Sequence, residues 1–110
     1  MSAQLDLMRR VREALRDRSP REVKMFGGVS FMVDERMLVA VRNDGELLLR
    51  IDPADSERLL DEPGAHEALM GADRPMGAGW ISVRSDVLEG PGLGEWLGRA
   101  LAFHAGQAGG

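Results

Sequence analysis

Few side chains in this sequence are candidates for catalysis or metal binding. Two histidines, His66 and His104, lie 38 residues apart, and neither has a ligand-type residue three or four positions away on a shared helix face. Glu67 follows His66 directly, a spacing that cannot place both on one helical face. A serine nucleophile needs a base and a sharp turn to present it. Ser30, Ser56, Ser82 and Ser85 sit in neither G-x-S-x-G nor S-x-x-K, and Gly28-Val29-Ser30-Phe31-Met32 departs from the first pattern at its last position. Gly27-Gly28, close to Lys24, could cradle a phosphate, but neither G-x-x-x-x-G-K-[ST] nor G-x-G-x-x-G surrounds the pair. A backbone bend or bulge accounts for these glycines more simply. There is no cysteine, and therefore no disulfide, thiol nucleophile or thiolate zinc site. The carboxylates are spread over turns and helix starts, where capping explains them. The residues thus point to no catalytic group, no metal site and no cofactor.

Charge is the next source of function. The 110 residues carry a net charge of −4, which argues against a general nucleic-acid binder. The balance is uneven: residues 1–24 hold a net +3 and the rest −7. Residues 2–18 have helical periodicity. Leu7, Met8, Val11, Ala14 and Leu15 form an apolar stripe, with Arg9, Arg12 and Arg16 on the opposite side. Ser2 is a candidate N-cap, and Ser19-Pro20 ends the helix. The three arginines, with Lys24, are the candidate interaction face; a solvated helix surface is the plainer account of the same stripe.

The framework carrying these residues centres on Lys24–Asp52, which reads as a three-stranded antiparallel meander. Val29-Ser30-Phe31-Met32-Val33 alternates, and Met37–Val41 is apolar on both faces, as a central strand would be. Asp34-Glu35-Arg36 is a short turn, and Asn43-Asp44-Gly45 contains a hairpin signal. Leu47, Leu49 and Ile51 then share a face. Asp52-Pro53 starts a short helix through Leu60, ended by Pro63-Gly64. Residues 65–70 read as one more helical turn, and Arg74-Pro75-Met76 as a short edge strand. Residues 79–84 form another main strand, with Trp80 and Ser82 on one side and Ile81 and Val83 on the other. Ser85–Leu88 makes a helical turn, and residues 91–104 the last helix, with Leu93, Trp96, Leu97, Ala100, Leu101 and Phe103 on one broad face. His104 lies on that apolar face, near the helix end. Trp80 and Trp96 are read as core residues. Length and composition suit one globular domain over residues 1–110, and no apolar run approaches the ~20 residues that span a bilayer. A cytoplasmic location is expected.

The blocks Met25-Phe26-Gly27-Gly28, Met37-Leu38-Val39-Ala40-Val41, Asn43-Asp44-Gly45, the Trp80 strand and the Trp96 helix occur in an order that resembles the N-terminal domain of the TfoX/Sxy family, over Val23 to His104. The resemblance implies an α+β fold of the secretion-chaperone-like kind, with an antiparallel sheet of about five strands in the order α-β-β-β-α-β-β-α. The family's larger members are regulators of natural competence that act as co-activators beside a DNA-bound transcription factor. The resemblance therefore implies a protein-interaction module without catalytic residues, engaging another protein such as transcription machinery. It implies neither sequence-specific DNA binding nor membrane binding. Self-association as a homodimer is compatible with it. Those larger members carry a second, helical C-terminal domain with no counterpart in these 110 residues, so the expectation is of a stand-alone domain. The alternative is a small-ligand binder or unrecognised enzyme with a pocket near Lys24, Gly27, Gly28 and His104.

Overall fold

A computed structural model describes residues 3–25, 28–70 and 74–108 of the protein. The first helix, α1 (Ala3–Ala14), continues as a 3-10 turn over Arg16–Arg18 and stops at Ser19, which adopts a left-handed conformation before Pro20. Leu7, Val11 and Leu15 are buried and Met8 is half-buried. Ala14 is exposed, so the apolar stripe is narrower than its periodicity suggests. Ser2, the candidate N-cap, lies outside the described residues.

Four strands follow without a helix between them: β1 (Arg21–Met25), β2 (Gly28–Val33), β3 (Arg36–Arg42) and β4 (Leu47–Arg50). The meander thus has four strands rather than three. The extra one, β1, is rich in charge and reads poorly as a strand, yet an edge strand tolerates charge because only one side of it pairs. The β2–β3 turn places Asp34 and Glu35 at φ of 54° and 64°, the positive-φ geometry that matches the twist of a tight hairpin. In the β3–β4 turn Gly45 takes φ of 86°, and Asp44 Oδ1 accepts a hydrogen bond from the Glu46 amide at 2.9 Å.

After β4, Asp52 caps a 3-10 turn over Pro53–Asp55 by accepting from the Ala54 amide at 2.9 Å, and the turn passes into a single helical turn, α2 (Ser56–Leu59). Residues 65–70 are not helical. Ala65–Glu67 forms β5 and Leu69–Met70 forms β6. Gly64, at φ of 80°, turns the chain so that β5 can take the open edge of β8 (Trp80–Val83), and that ladder outweighs the weak preference of a few residues for a lone helical turn. Arg74–Pro75 is a strand as expected, β7, but it pairs with β6 in a separate two-stranded sheet. A 3-10 turn over Ser85–Leu88 leads to α3 (Gly92–Ala108).

The α+β class and antiparallel sheet are as expected; the main sheet has six strands, in the order β1-β2-β3-β4-β8-β5. Its register lines residues up in rows. Two rows, Lys24–Val29–Val41–Leu47–Val83–Ala65 and Glu22–Phe31–Val39–Leu49–Ile81–Glu67, carry most of the sheet's share of the larger core. That core is closed by Leu7, Val11 and Leu15 of α1, Leu59 of α2, and Leu93, Trp96, Leu97 and Ala100 of α3. A bulge at Phe31/Met32 leaves Leu38 as an extra residue on β3, and it too enters this core. The opposite face holds a smaller cluster in which Met37, Ala40 and Leu48 lie under Ala68 and Met76, with Met32 and Trp80 packed against it. Trp96 is buried and Trp80 half-buried, one in each core.

One close approach sets the β2–β3 spacing. A Cβ at Gly28 would lie 2.1 Å from the Val41 carbonyl oxygen and 2.6 Å from Arg42 Cα, both backbone atoms of a central strand. Gly28→Ala is therefore expected to lose about 3 kcal/mol or more in urea unfolding. Gly94 and Gly98, exposed on α3 with open space around their Cβ positions, are the counter-test: alanine at either should gain about 0.5–1 kcal/mol.

Candidate interaction face

The arginine stripe is exposed on α1, but it is not a bare cationic surface. Arg9 pairs with Asp6 at 2.8 Å within the helix, and Arg16 approaches Glu13 at 3.9 Å. Arg12 reaches down to β1 and donates two hydrogen bonds to Glu22, Nε to Oε2 at 2.7 Å and one terminal nitrogen to Oε1 at 2.8 Å. Arg10, which the stripe did not include, is structural: it donates to the Leu88 carbonyl at 2.6 Å and ties α1 to the turn before α3. The hydrogen bonds from Arg12, followed by its charge, hold the Glu22 carboxyl below the usual carboxylate range against an opposing desolvation cost. The same contact raises Arg12.

Lys24 is different. It is exposed on β1 and has no ion pair among the described residues. With Gln4, Leu5 and Met8 of α1, Gly28 and Val29 of β2, and Asn43, it lines a groove of about 570 Å³. Gln4 donates to Asn43 Oδ1 at 3.1 Å across one end of this groove. Leu5 is 56% exposed at its mouth, although an outward leucine on α1 was not among the residues expected to matter. The stretch Met25-Phe26-Gly27-Gly28 begins in β1 and ends in β2; Phe26 and Gly27 lie outside the described residues. His104 is not part of the groove. It is 6% exposed, and its Nε2 makes no hydrogen bond among the described residues, with Asp34 Oδ2 at 3.7 Å.

A second polar cluster was missed in the sequence. Ser82 Oγ donates to Glu46 Oε1 at 2.6 Å, and His66 Nε2 lies 2.7 Å from the same oxygen. His66 Nδ1 is 3.1 Å from the Glu67 carbonyl. The group lines a small cavity of about 180 Å³ with Arg42, Asp44 and Leu69. Its signal was the register: Ser82 and His66 are neighbours in one cross-strand row with Leu48, and Glu46 lies two residues before Leu48 on the same face. Chemically this is not a nucleophile relay. In a relay, imidazole stands between hydroxyl and carboxylate; here both side chains converge on the carboxylate, so the hydroxyl proton is held by Glu46. Arg50 lies 5.7 Å from the Trp80 ring and 5.8 Å from the Phe103 ring, and Arg99 lies 4.4 Å from Trp96, so these aromatics pack against cations of their own chain. Among the described residues no cluster of three or more His, Asp or Glu could hold a metal ion, and no helix is long and apolar enough to cross a membrane.

Fold and surface together define an α+β domain with its long helices on one face of an antiparallel sheet, a small hairpin on the other, and an open groove where α1 meets β1 and β2. The TfoX N-terminal domain family model matches residues 12–104, and the chain belongs to that family. The match begins within α1 rather than at Val23, so the Arg12–Glu22 pair lies inside it. No curated protein matches the chain.

The Arg12–Glu22 pair makes a pH-dependent contribution of predictable sign. A lowered folded-state carboxyl stabilises the fold above its unfolded range, and the contribution is lost as pH falls through the folded value. A double-mutant cycle of Arg12→Ala and Glu22→Ala should give a coupling below about 1 kcal/mol at neutral pH, since both groups are partly solvated. The coupling should shrink towards zero as Glu22 is protonated.

Proposed function

We propose that the chain is a non-catalytic protein-interaction module of the cytoplasm, acting in transcription regulation of the kind associated with competence co-regulators, and that its contact region is the groove between α1 and β1. The observation that carries this reading is the pairing of an exposed leucine, Leu5, with a lysine that has no ion pair among the described residues, Lys24, at one groove. An apolar anchor beside a cation suits a partner that presents an apolar side chain next to a carboxylate. The outer arginines of α1, already matched by Asp6, Glu22 and Glu13, form a polar rim rather than the source of affinity. Family membership supports the regulatory part of the reading. Neither direct sequence-specific DNA binding nor a membrane partner is part of it.

A groove of about 570 Å³ also falls in the size range of small-molecule sites, which keeps a ligand at Lys24 and Gly28 as the alternative. One experiment separates the two. Tagged protein is captured from its own cells, its protein and small-molecule companions are identified by mass spectrometry, and the purified companion is titrated against wild type, Leu5→Glu and Lys24→Glu. A protein partner whose affinity drops at least about tenfold with Leu5→Glu is the expected result. A metabolite that co-purifies with wild type and is lost with Lys24→Glu, with no protein partner, would overturn the module reading in favour of the ligand.

A further inference from the structure

The main sheet has two edges, and they differ. On one side β5 is three residues long. On the other, β1 runs five residues in unbroken antiparallel register with β2, and no second strand lies against it among the described residues. An edge of that length offers unpaired backbone donors and acceptors to another strand. Pro20, which has no N–H to give, bounds it at its start.

We infer that β1 pairs antiparallel with β1 of a second copy, in the register centred on Val23. The residues themselves select it. A two-fold pairing must set side chains of one face opposite each other, so the strand can centre only on a residue, not between two. Centred on Glu22, it would oppose two glutamates; centred on Lys24, two lysines. Centred on Val23, it sets Val23 against Val23 and places each Glu22 opposite the partner's Lys24, twice by symmetry. Both charged side chains stand on the helix side of the sheet, as the Arg12 contact to Glu22 and the Lys24–Val29 pairing require. Lys24, without an ion pair among the described residues, gains one, and Glu22 sits between Arg12 of its own chain and the partner's Lys24. The short edge at β5 has no such complementarity: centred on His66 it sets imidazole against imidazole and Ala65 against Glu67. The product is one continuous sheet of twelve strands with the helices of both copies on the same face. This inference rests on the β1 edge and does not depend on a partner protein binding the groove.

The test uses charge reversal and mixing. Lys24→Glu makes the edge all-acidic at the two facing positions, and Glu22→Lys makes it all-basic. Sedimentation velocity of the full chain from about 10 to about 500 µM should show wild type passing from monomer to dimer, as a small interface governed by mass action would. Each variant alone should dimerise on the order of tenfold more weakly, and an equimolar mixture of the two should recover a one-to-one heterodimer. Arg12→Ala, which removes the partner of Glu22 within the chain but neither cross-strand pair, should still dimerise, and circular dichroism checks that every variant is folded. Wild type that stays monomeric throughout would overturn the pairing while leaving the interaction-module reading standing. So would a dimer that both charge reversals leave unchanged, because it would use another surface.

Discussion

Backbone-to-backbone contact between β2 and β3 sets the frame on which the outer strands and the helices are placed. Five consecutive residues of β3, Met37–Val41, are buried, so this strand is covered on both faces. Glycine at position 28 lets the neighbouring backbone come against Val41 without a side chain between. From that contact the sheet extends in both directions in straight cross-strand rows. Val39 and Val41 lie between Phe31 and Val29 on one side and Leu49 and Leu47 on the other, with α1 packed over β3 and α3 over β3 and β4. The opposite face holds a smaller cluster, in which Ala40 and Ala68 leave room between the larger Met37, Leu48, Met76 and Trp80.

Much of this was legible in the sequence. The alternation of Val29–Val33, the two-faced apolar run of β3, the Asp-Gly turn and the long apolar face of α3 each follow from a simple periodicity, and each element is present where that periodicity puts it. Three strands, β1, β5 and β6, were not legible for the same reason: their residues gain a ladder that no local pattern encodes. β1 is charged because it lies at an edge, and β5 is a strand because β8 leaves an edge for it to take. The Glu46–Ser82–His66 cluster was hidden in the same way, since it assembles from three strands through register alone.

The candidate face shows the limit of reading charge from sequence. The net +3 of residues 1–24 suggested a basic surface, yet Asp6, Glu13 and Glu22 each meet an arginine of the stripe. What the surface offers instead is local: Leu5 exposed beside Lys24, and a regular five-residue edge whose own charges alternate in sign. Both features meet at β1. The far side of the molecule differs, with β8 edged by a short strand and its polar side chains turned into the Glu46 network.

The claim that β1 is the exposed working edge of this sheet is tested most directly by amide hydrogen exchange at two protein concentrations, one well below and one well above the association midpoint. Outward amides of Arg21–Met25 should become slower to exchange at the higher concentration, while those of Ala65–Glu67 at the opposite edge should not change. Equal exchange of β1 at both concentrations, or protection that develops at β5 instead, would contradict it.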